Sequence, residues 1–271
     1  MKICFIGGGN MAAALIGGLL KRSFVAEQLC VVETNKSRHA TLHSEFGVRA
    51  VAELQAGVIE SDIILLAVKP QQLHEVATSL APLLTGQLLI SIAAGVRTTD
   101  IASWLGSQNI VRAMPNMSAL IQSGVTGLYA PPAVGQTQRD TVDGILAAVG
   151  KTLWLKDEAM MDAITAVSGS GPAYVFYFIE ALQQAACELG FDKETARRLA
   201  LDTFSGAIKL ADTSDEDVST LRTHVTSKNG TTERALLSME SEKIKLHIVA
   251  AIKAAATRAK EMGDELGDAT C

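Results

Sequence analysis

Apolar residues in the first half of the chain fall in short runs, each closed by glycine, proline or a polar pair. Ile3–Ile6, Leu29–Val32, Asp62–Val68 and Leu88–Ala93 are almost unbroken, the pattern of strands buried on both faces. Asn109–Ala113, Thr126–Tyr129 and Thr152–Leu155 are predicted as further strands. Helical composition lies between them, over Met11–Arg22, a stretch ending at Phe46, a segment opening at Pro70, Asp100–Leu105 and Thr137–Val149. Proline is favoured at a first helical position, so Pro70 sets that start. Strand and helix in alternation predict an α/β fold, a parallel sheet covered by helices on both faces.

After Leu155 the pattern changes. Long helices are predicted over Pro172–Leu189, Lys193–Leu210, Glu216–His224 and Thr232 to about Leu266. Ala173–Ile179 is apolar on every side, as in a helix enclosed by other helices. The boundary is set near Lys156. Residues 1–156 form a Rossmann dinucleotide-binding domain, and residues 157–271 an all-helical one.

Composition narrows the class. Of 271 residues 48% are hydrophobic and 20% charged, enough for a sizeable core. The net charge of −5 argues against a nucleic-acid partner. No apolar run reaches the ~18 residues of a membrane span. Lys2 and the apolar runs to Leu20 imitate a secretory leader, but Gly7–Asn10 interrupts them. Cys4, Cys30, Cys187 and Cys271 include no C-x-x-C pair and have no histidine at ligand spacing, so no metal site is expected. They read as small hydrophobes in a reducing cytoplasm.

The first chemical feature is Gly7-Gly8-Gly9-Asn10-Met11-Ala12, a G-x-G-x-x-A pattern between strand and helix. Gly7 permits the tight turn, Gly9 lets a pyrophosphate approach the backbone, and Ala12 lets helix and strand pack closely. Helix amides would then face the phosphates. A glycine turn without a ligand is the bland alternative. Glu33 ends the second strand, where an acidic residue suits the ribose 2′-hydroxyl of NAD(H). Asn35, Lys36 and Arg38 suit the 2′-phosphate of NADP(H), which is the preferred cofactor. Lys69, in Ala67-Val68-Lys69-Pro70, closes a strand at its carboxyl end, as a cofactor contact or a plain surface lysine. Ala93-Ala94-Gly95 closes the next, with small residues at Ala93 and Gly95 leaving room for a nicotinamide ring.

Five segments together resemble the pyrroline-5-carboxylate reductases: Phe5–Ala12, Ala67–Gln71, Arg112–Asn116, Ala166–Tyr174 and Val225–Thr232. The likeness spans nearly the whole chain, and Ser168-Gly169-Ser170-Gly171-Pro172 is its most specific element. It implies a Rossmann domain followed by a helical dimerisation and substrate-binding domain, some members assembling as pentamers of dimers. It implies NADPH or NADH as hydride donor to Δ1-pyrroline-5-carboxylate, the last step of proline biosynthesis. Carried over by residue, Ile6 to Met11, Thr34 to Lys36 and Ala67 to Pro70 would contact the cofactor. Ser227, Gly230, Thr231 and Thr232 would hold the substrate. Two departures stand out. Lys228-Asn229 replaces the family's Pro-Gly, where Asn229 tolerates the left-handed backbone. Met117-Ser118 replaces Thr-Pro after Asn116.

A protonated cyclic imine is already electrophilic, so the chemistry needs an anchor for its carboxylate, a positioned ring and exclusion of water. The five histidines form no cluster. Thr232 is the candidate for a hydrogen bond to the ring nitrogen. The alternative for Thr231 and Thr232 is plain helix capping. A β-hydroxyacid dehydrogenase would need a lysine on the long helix, and none occurs between Gly171 and Leu189. A non-catalytic NADP(H)-binding redox sensor fits the same fold.

Overall fold

The computed structural model describes residues 1–22 and 24–268. Eight strands form one sheet: β1 (Ile3–Ile6), β2 (Leu29–Val32), β3 (Arg49–Val51), β4 (Ile63–Leu66), β5 (Leu88–Ser91), β6 (Ile110–Met114), β7 (Gly124–Tyr129) and β8 (Gly150–Trp154). Their order is β3-β2-β1-β4-β5-β6-β7-β8. All neighbours run parallel except β6 and β7. Chain order therefore reverses between β1 and β4, where a doubly wound sheet opens its ligand crevice.

Seven helices accompany the sheet: α1 (Asn10–Arg22), α2 (Lys36–Phe46), α3 (Leu54–Val58), α4 (Pro70–Leu80), α5 (Thr98–Leu105), α6 (Gln136–Leu146) and α7 (Met160–Ile164). Ile3, Phe5, Val31, Ile63 and Leu65 pack with Leu15, Ile16 and Leu19 of α1. Their neighbours Cys4, Ile6, Val32, Ile64 and Leu66 pack with Leu73, Ala77 and Leu80 of α4. Successive residues of a strand point to opposite faces. Both faces are dry, so the strand must be apolar throughout, each large side chain contributing roughly 1.5–3 kcal/mol. That is why these runs were legible. β3 was not predicted, being a three-residue edge strand whose Arg49 is exposed.

The remaining helices are α8 (Gly171–Glu188), α9 (Lys193–Thr213), α10 (Val218–His224), α11 (Thr231–Ser241) and α12 (Ile244–Asp268). The single last helix expected from Thr232 is thus two. Lys243, with φ 55°, takes the left-handed conformation and ends α11, with no glycine or proline to announce it.

Packing divides the chain into two compact units, residues 1–170 with 255–271, and residues 171–254. The change of character near Lys156 follows the end of the last strand; α7 and a π-helical turn (Thr165–Gly169) still pack with the sheet's unit. In the second unit α8 packs on α9, and the buried hydrophobics among its described residues are Ala196 and Ala200. The expected enclosure of Ala173–Ile179 is not met within one chain: Val175, Phe176 and Tyr177 are exposed, Tyr177 to 70%. Cys4 and Cys30 are buried as expected, Cys187 is exposed, and Cys271 lies outside the described residues. Among the described residues no helix is long and apolar enough to cross a membrane.

Candidate functional site

The glycine turn sits at the point where chain order reverses. β1 passes into the turn through hydrogen bonds from Gly7 N–H to Val32 O (2.8 Å) and from Ala67 N–H to Ile6 O (2.8 Å). Gly7 has φ +101°, and a Cβ there would stand 2.8 Å from Ala67 O. This position accepts only glycine. A Cβ on Gly9 would meet nothing within 4 Å, so the chain's own packing does not demand glycine there. Ala12 is fully buried against the sheet, as close helix–strand packing requires. Ala13 N–H bonds to Gly9 O (3.0 Å), so Asn10, Met11 and Ala12 keep the open first-turn amides of α1. Open amides at a helix N-terminus favour phosphate.

A cleft of about 480 Å³ lies over this turn, lined by Ile6, Gly7, Gly8, Gly9, Glu33 and Thr34 on one side and Ala67, Val68, Lys69 and Gln72 on the other. Pro70 opens α4 at this rim, with Lys69 at the N-cap. Lys69 is exposed and lines this rim. Ala93 and Gly95 do not line this cleft. Gly95 has φ +83°, and a Cβ there would stand at ordinary contact distance from Leu266 (3.4 Å) and Met262 (3.5 Å). The left-handed backbone by itself favours glycine at this position.

The acidic residue at the end of β2 has a structural task. Glu33 accepts hydrogen bonds from Gly8 N–H (3.0 Å) and Asn35 N–H (2.8 Å). Arg38 donates to Gly8 O (2.5 Å), and Asn35 caps α2 through Ser37 N–H (3.0 Å). Of the three polar residues expected around a 2′-phosphate, Asn35 and Arg38 are thus engaged by the backbone. Lys36 is exposed. It stands next but one to Thr34 at the cleft's edge.

The second anion-binding candidate lies in the helical unit. Ser227 to Gly230 form a turn closed by Gly230 N–H to Ser227 O (3.0 Å). Asn229 has φ 57°, so it holds the left-handed position usually given to glycine. A Cβ on Gly230 would collide with the Ser227 hydroxyl. Gly230 is the N-cap of α11, and no side chain caps the helix. The capping alternative for Thr231 and Thr232 therefore does not hold. Glu233 instead accepts from Asn229 N–H (2.6 Å), bracing the turn from within. Arg234 N–H bonds to Gly230 O (3.2 Å), leaving the amides of Thr231, Thr232 and Glu233 open.

A polar group that sequence reading missed joins two of the motifs. Arg112, 5% exposed in its side chain, pairs with Glu158 at 2.6 Å. Glu158 also accepts from Thr98 N–H (2.7 Å) and its hydroxyl (2.6 Å). Asn116 donates to the Ser168 hydroxyl (3.2 Å) and carbonyl (3.3 Å) while accepting from Val125 N–H (3.1 Å). The Arg112–Asn116 segment is thereby fixed to the π-helical turn that leads into Ser170-Gly171-Pro172, a local form often kept at functional sites.

Residues 158–262 match the family model described as pyrroline-5-carboxylate reductase dimerisation. Residues 2–95 match that of NADP oxidoreductase, coenzyme F420-dependent. The chain is 42% identical to pyrroline-5-carboxylate reductase of Pseudomonas aeruginosa, over 98% of each. Among solved structures it resembles a pyrroline-5-carboxylate reductase from Coxiella burnetii, with TM-score 0.90, 39% identity, 96% of this chain and 98% of that one. The Plasmodium falciparum pyrroline carboxylate reductase with NADP bound gives TM-score 0.88 and 31% identity, covering 97% and 98%.

Proposed function

Since the chain belongs to the pyrroline-5-carboxylate reductase family, we infer that it reduces Δ1-pyrroline-5-carboxylate to L-proline with NADPH, the last step of proline biosynthesis. The observation that carries this reading is a likeness over 98% of the chain that includes both open-amide helix starts.

The cleft over the glycine turn fits a dinucleotide, because a bare Gly9 faces open space beside unpaired amides. Ile6, Gly7, Gly8, Gly9, Asn10 and Met11 would receive the pyrophosphate, with Thr34, Asn35 and Lys36 toward a 2′-phosphate and Ala67, Val68, Lys69 and Pro70 along the opposite rim. When bound, the dihydronicotinamide supplies the hydride. Ser227, Gly230, Thr231 and Thr232 would hold the imino acid, open amides of α11 meeting its carboxylate as those of α1 meet phosphate. The Thr232 hydroxyl, half-buried and without a partner among the described residues, would hold the proton at the ring nitrogen. None of these groups needs a shifted acidity, since the protonated imine brings its own electrophilic carbon.

Residues 1–156 would serve the cofactor, and residues 157–271 dimerisation and substrate. Support for a homodimer comes from the apolar residues that one chain leaves bare on α8: Val175, Phe176, Tyr177 and Leu182. A pentamer of dimers is the larger assembly this reading allows, and the reducing cytoplasm its location.

The test is an assay of purified protein with NADPH and Δ1-pyrroline-5-carboxylate, following nicotinamide absorbance. Oxidation that depends on the imine is expected. Its absence would leave a binding protein, the redox sensor. Repeating the assay with NADH reads the cofactor preference.

A further inference from the structure

β1 and β2 run parallel with Cys4 directly opposite Cys30. Paired residues of neighbouring strands present their side chains to the same face. Strands lie about 4.8 Å apart, inside the roughly 4.4–6.8 Å between Cα atoms that a disulfide spans. The two thiols are close enough to influence each other's proton, with Arg49 near Cys30 and Ser61 near Cys4. α3 covers Cys4 with Gly57, whose missing side chain leaves the Cys4 sulfur room: a Cβ there would stand 2.9 Å from it.

The two cysteines are not equivalent. Cys4 is wholly buried. Cys30 lines an open cavity of about 270 Å³ together with Lys2, Glu27, Arg49, Glu60 and Ser61. Lys2 is paired with Glu60 at 2.7 Å. Arg49, which also donates to Ala56 O (2.9 Å), is therefore the cation left to Cys30. The neighbouring Cys4 thiol, with Arg49 nearby, brings the Cys30 thiol below the ordinary thiol value against the effect of burial. Cys4, as the partner that keeps its proton, is pushed up. A thiol next to a cation, at the wall of an open cavity and backed by a second thiol, is the arrangement of an oxidisable dithiol.

We propose that Cys30 is an oxidation site for hydroperoxides and that Cys4 is its resolving thiol. The Cys30 thiolate attacks one oxygen of the peroxide; an S–O bond forms, the O–O bond breaks, and the leaving oxygen departs with a proton as water or an alcohol. Sulfur loses two electrons and the peroxide gains them. Cys4 sulfur then attacks the sulfenic sulfur of Cys30, the S–O bond breaks, and hydroxide leaves with the Cys4 proton as water. Two thiols and one peroxide thus give one disulfide, water and the alcohol or a second water.

The test uses the full chain with Cys187→Ser and Cys271→Ser, treated with one equivalent of hydrogen peroxide, quenched by alkylation and read by mass spectrometry. A species lighter by two hydrogens is expected, giving a linked Cys4–Cys30 peptide and restored by dithiothreitol. With Cys4→Ser in the same background, Cys30 should trap a sulfenic-acid probe instead. Arg49→Gln, which leaves both sulfurs in place, should slow disulfide formation about tenfold. Full alkylation of Cys4 and Cys30 after peroxide, or a rate indifferent to Arg49→Gln, overturns the proposal. Reductase activity is read separately, so its presence or absence does not bear on this outcome.

Discussion

The carboxylate of Glu33 accepts the amide of Gly8 at 3.0 Å, so the end of β2 holds the glycine turn at the end of β1. Its other oxygen accepts Asn35 N–H at 2.8 Å, and Arg38 closes the arrangement from the opposite side through Gly8 O. An acidic residue here suits a ribose hydroxyl, yet both its oxygens already carry backbone bonds. Glu33→Ala should therefore weaken NADPH and NADH alike, by about tenfold for a lost charge-assisted bond of roughly 1.5 kcal/mol. The turnover at saturating cofactor should stay close to that of the parent. Steady-state titration of each cofactor checks this, and an effect confined to NADH would give Glu33 to the ribose instead.

Gly9 separates cofactor binding from folding. Its φ is not in the left-handed region and an added Cβ meets nothing of the chain. Gly9→Val should leave thermal stability within about 1 kcal/mol, the usual scatter of surface changes, while abolishing NADPH binding. Gly7→Ala should do the reverse first, because φ +101° and Ala67 O at 2.8 Å leave no place for a methyl group. Calorimetry of the free proteins, followed by cofactor titration, distinguishes the two. Normal NADPH affinity in Gly9→Val would show that the pyrophosphate lies elsewhere.

Thr232 lies in the first turn of α11, next to amides that no side chain caps. Thr232→Val keeps the shape and removes the hydroxyl. Turnover on the imine should fall at least about tenfold, the worth of one well-placed hydrogen bond, with NADPH affinity unchanged. Stopped-flow traces with saturating cofactor give the number. Parent-like turnover would remove Thr232 from the mechanism.

What the sequence made legible and what it hid divide by range. The glycine turn was readable because strand, turn and helix are contiguous from Ile3 to Arg22 and each glycine answers a local demand. Asn229 was readable for the same reason, since a left-handed residue is a property of one position. The Arg112–Glu158 and Asn116–Ser168 bonds join segments 46 and 52 residues apart, and no periodicity reports such pairings. Gly95 has more than one use for its missing side chain, since its φ of +83° favours glycine whether or not a ligand lies beside it. The apolar run Ala173–Ile179 was read as enclosed, yet one chain does not supply the cover. Composition tells that a surface must be buried, not which molecule buries it.

Glu158 is the carboxylate paired with Arg112, whose side chain is 5% exposed. Glu158→Ala would leave Arg112 charged and unpaired and would strip two bonds from Thr98. Breaking one side of a buried pair costs about 3–5 kcal/mol. Urea unfolding should show a loss of at least the lower figure. Replacing both partners, Arg112→Met with Glu158→Leu, should recover much of it, because no buried charge remains.

Asp162, on α7 beside that pair, gives a pH dependence of opposite sign to an ordinary salt-bridged carboxylate. Burial raises its pKa, and the nearby charges of Arg112 and Arg97 only partly oppose this. The folded protein therefore holds the proton to higher pH than the unfolded chain does. Between the unfolded and folded values the native state binds more protons, so stability falls as pH rises through that window. The cost is fully present above the raised value and vanishes below the unfolded one. Asp162→Asn removes the titration while keeping the side chain's size. It should raise stability at neutral pH, and the advantage over the parent should shrink as pH is lowered through the carboxylate range. Paired urea titrations at several pH values measure that difference directly. An advantage that stayed constant, or grew on acidification, would mean that the arginines outweigh burial at this side chain.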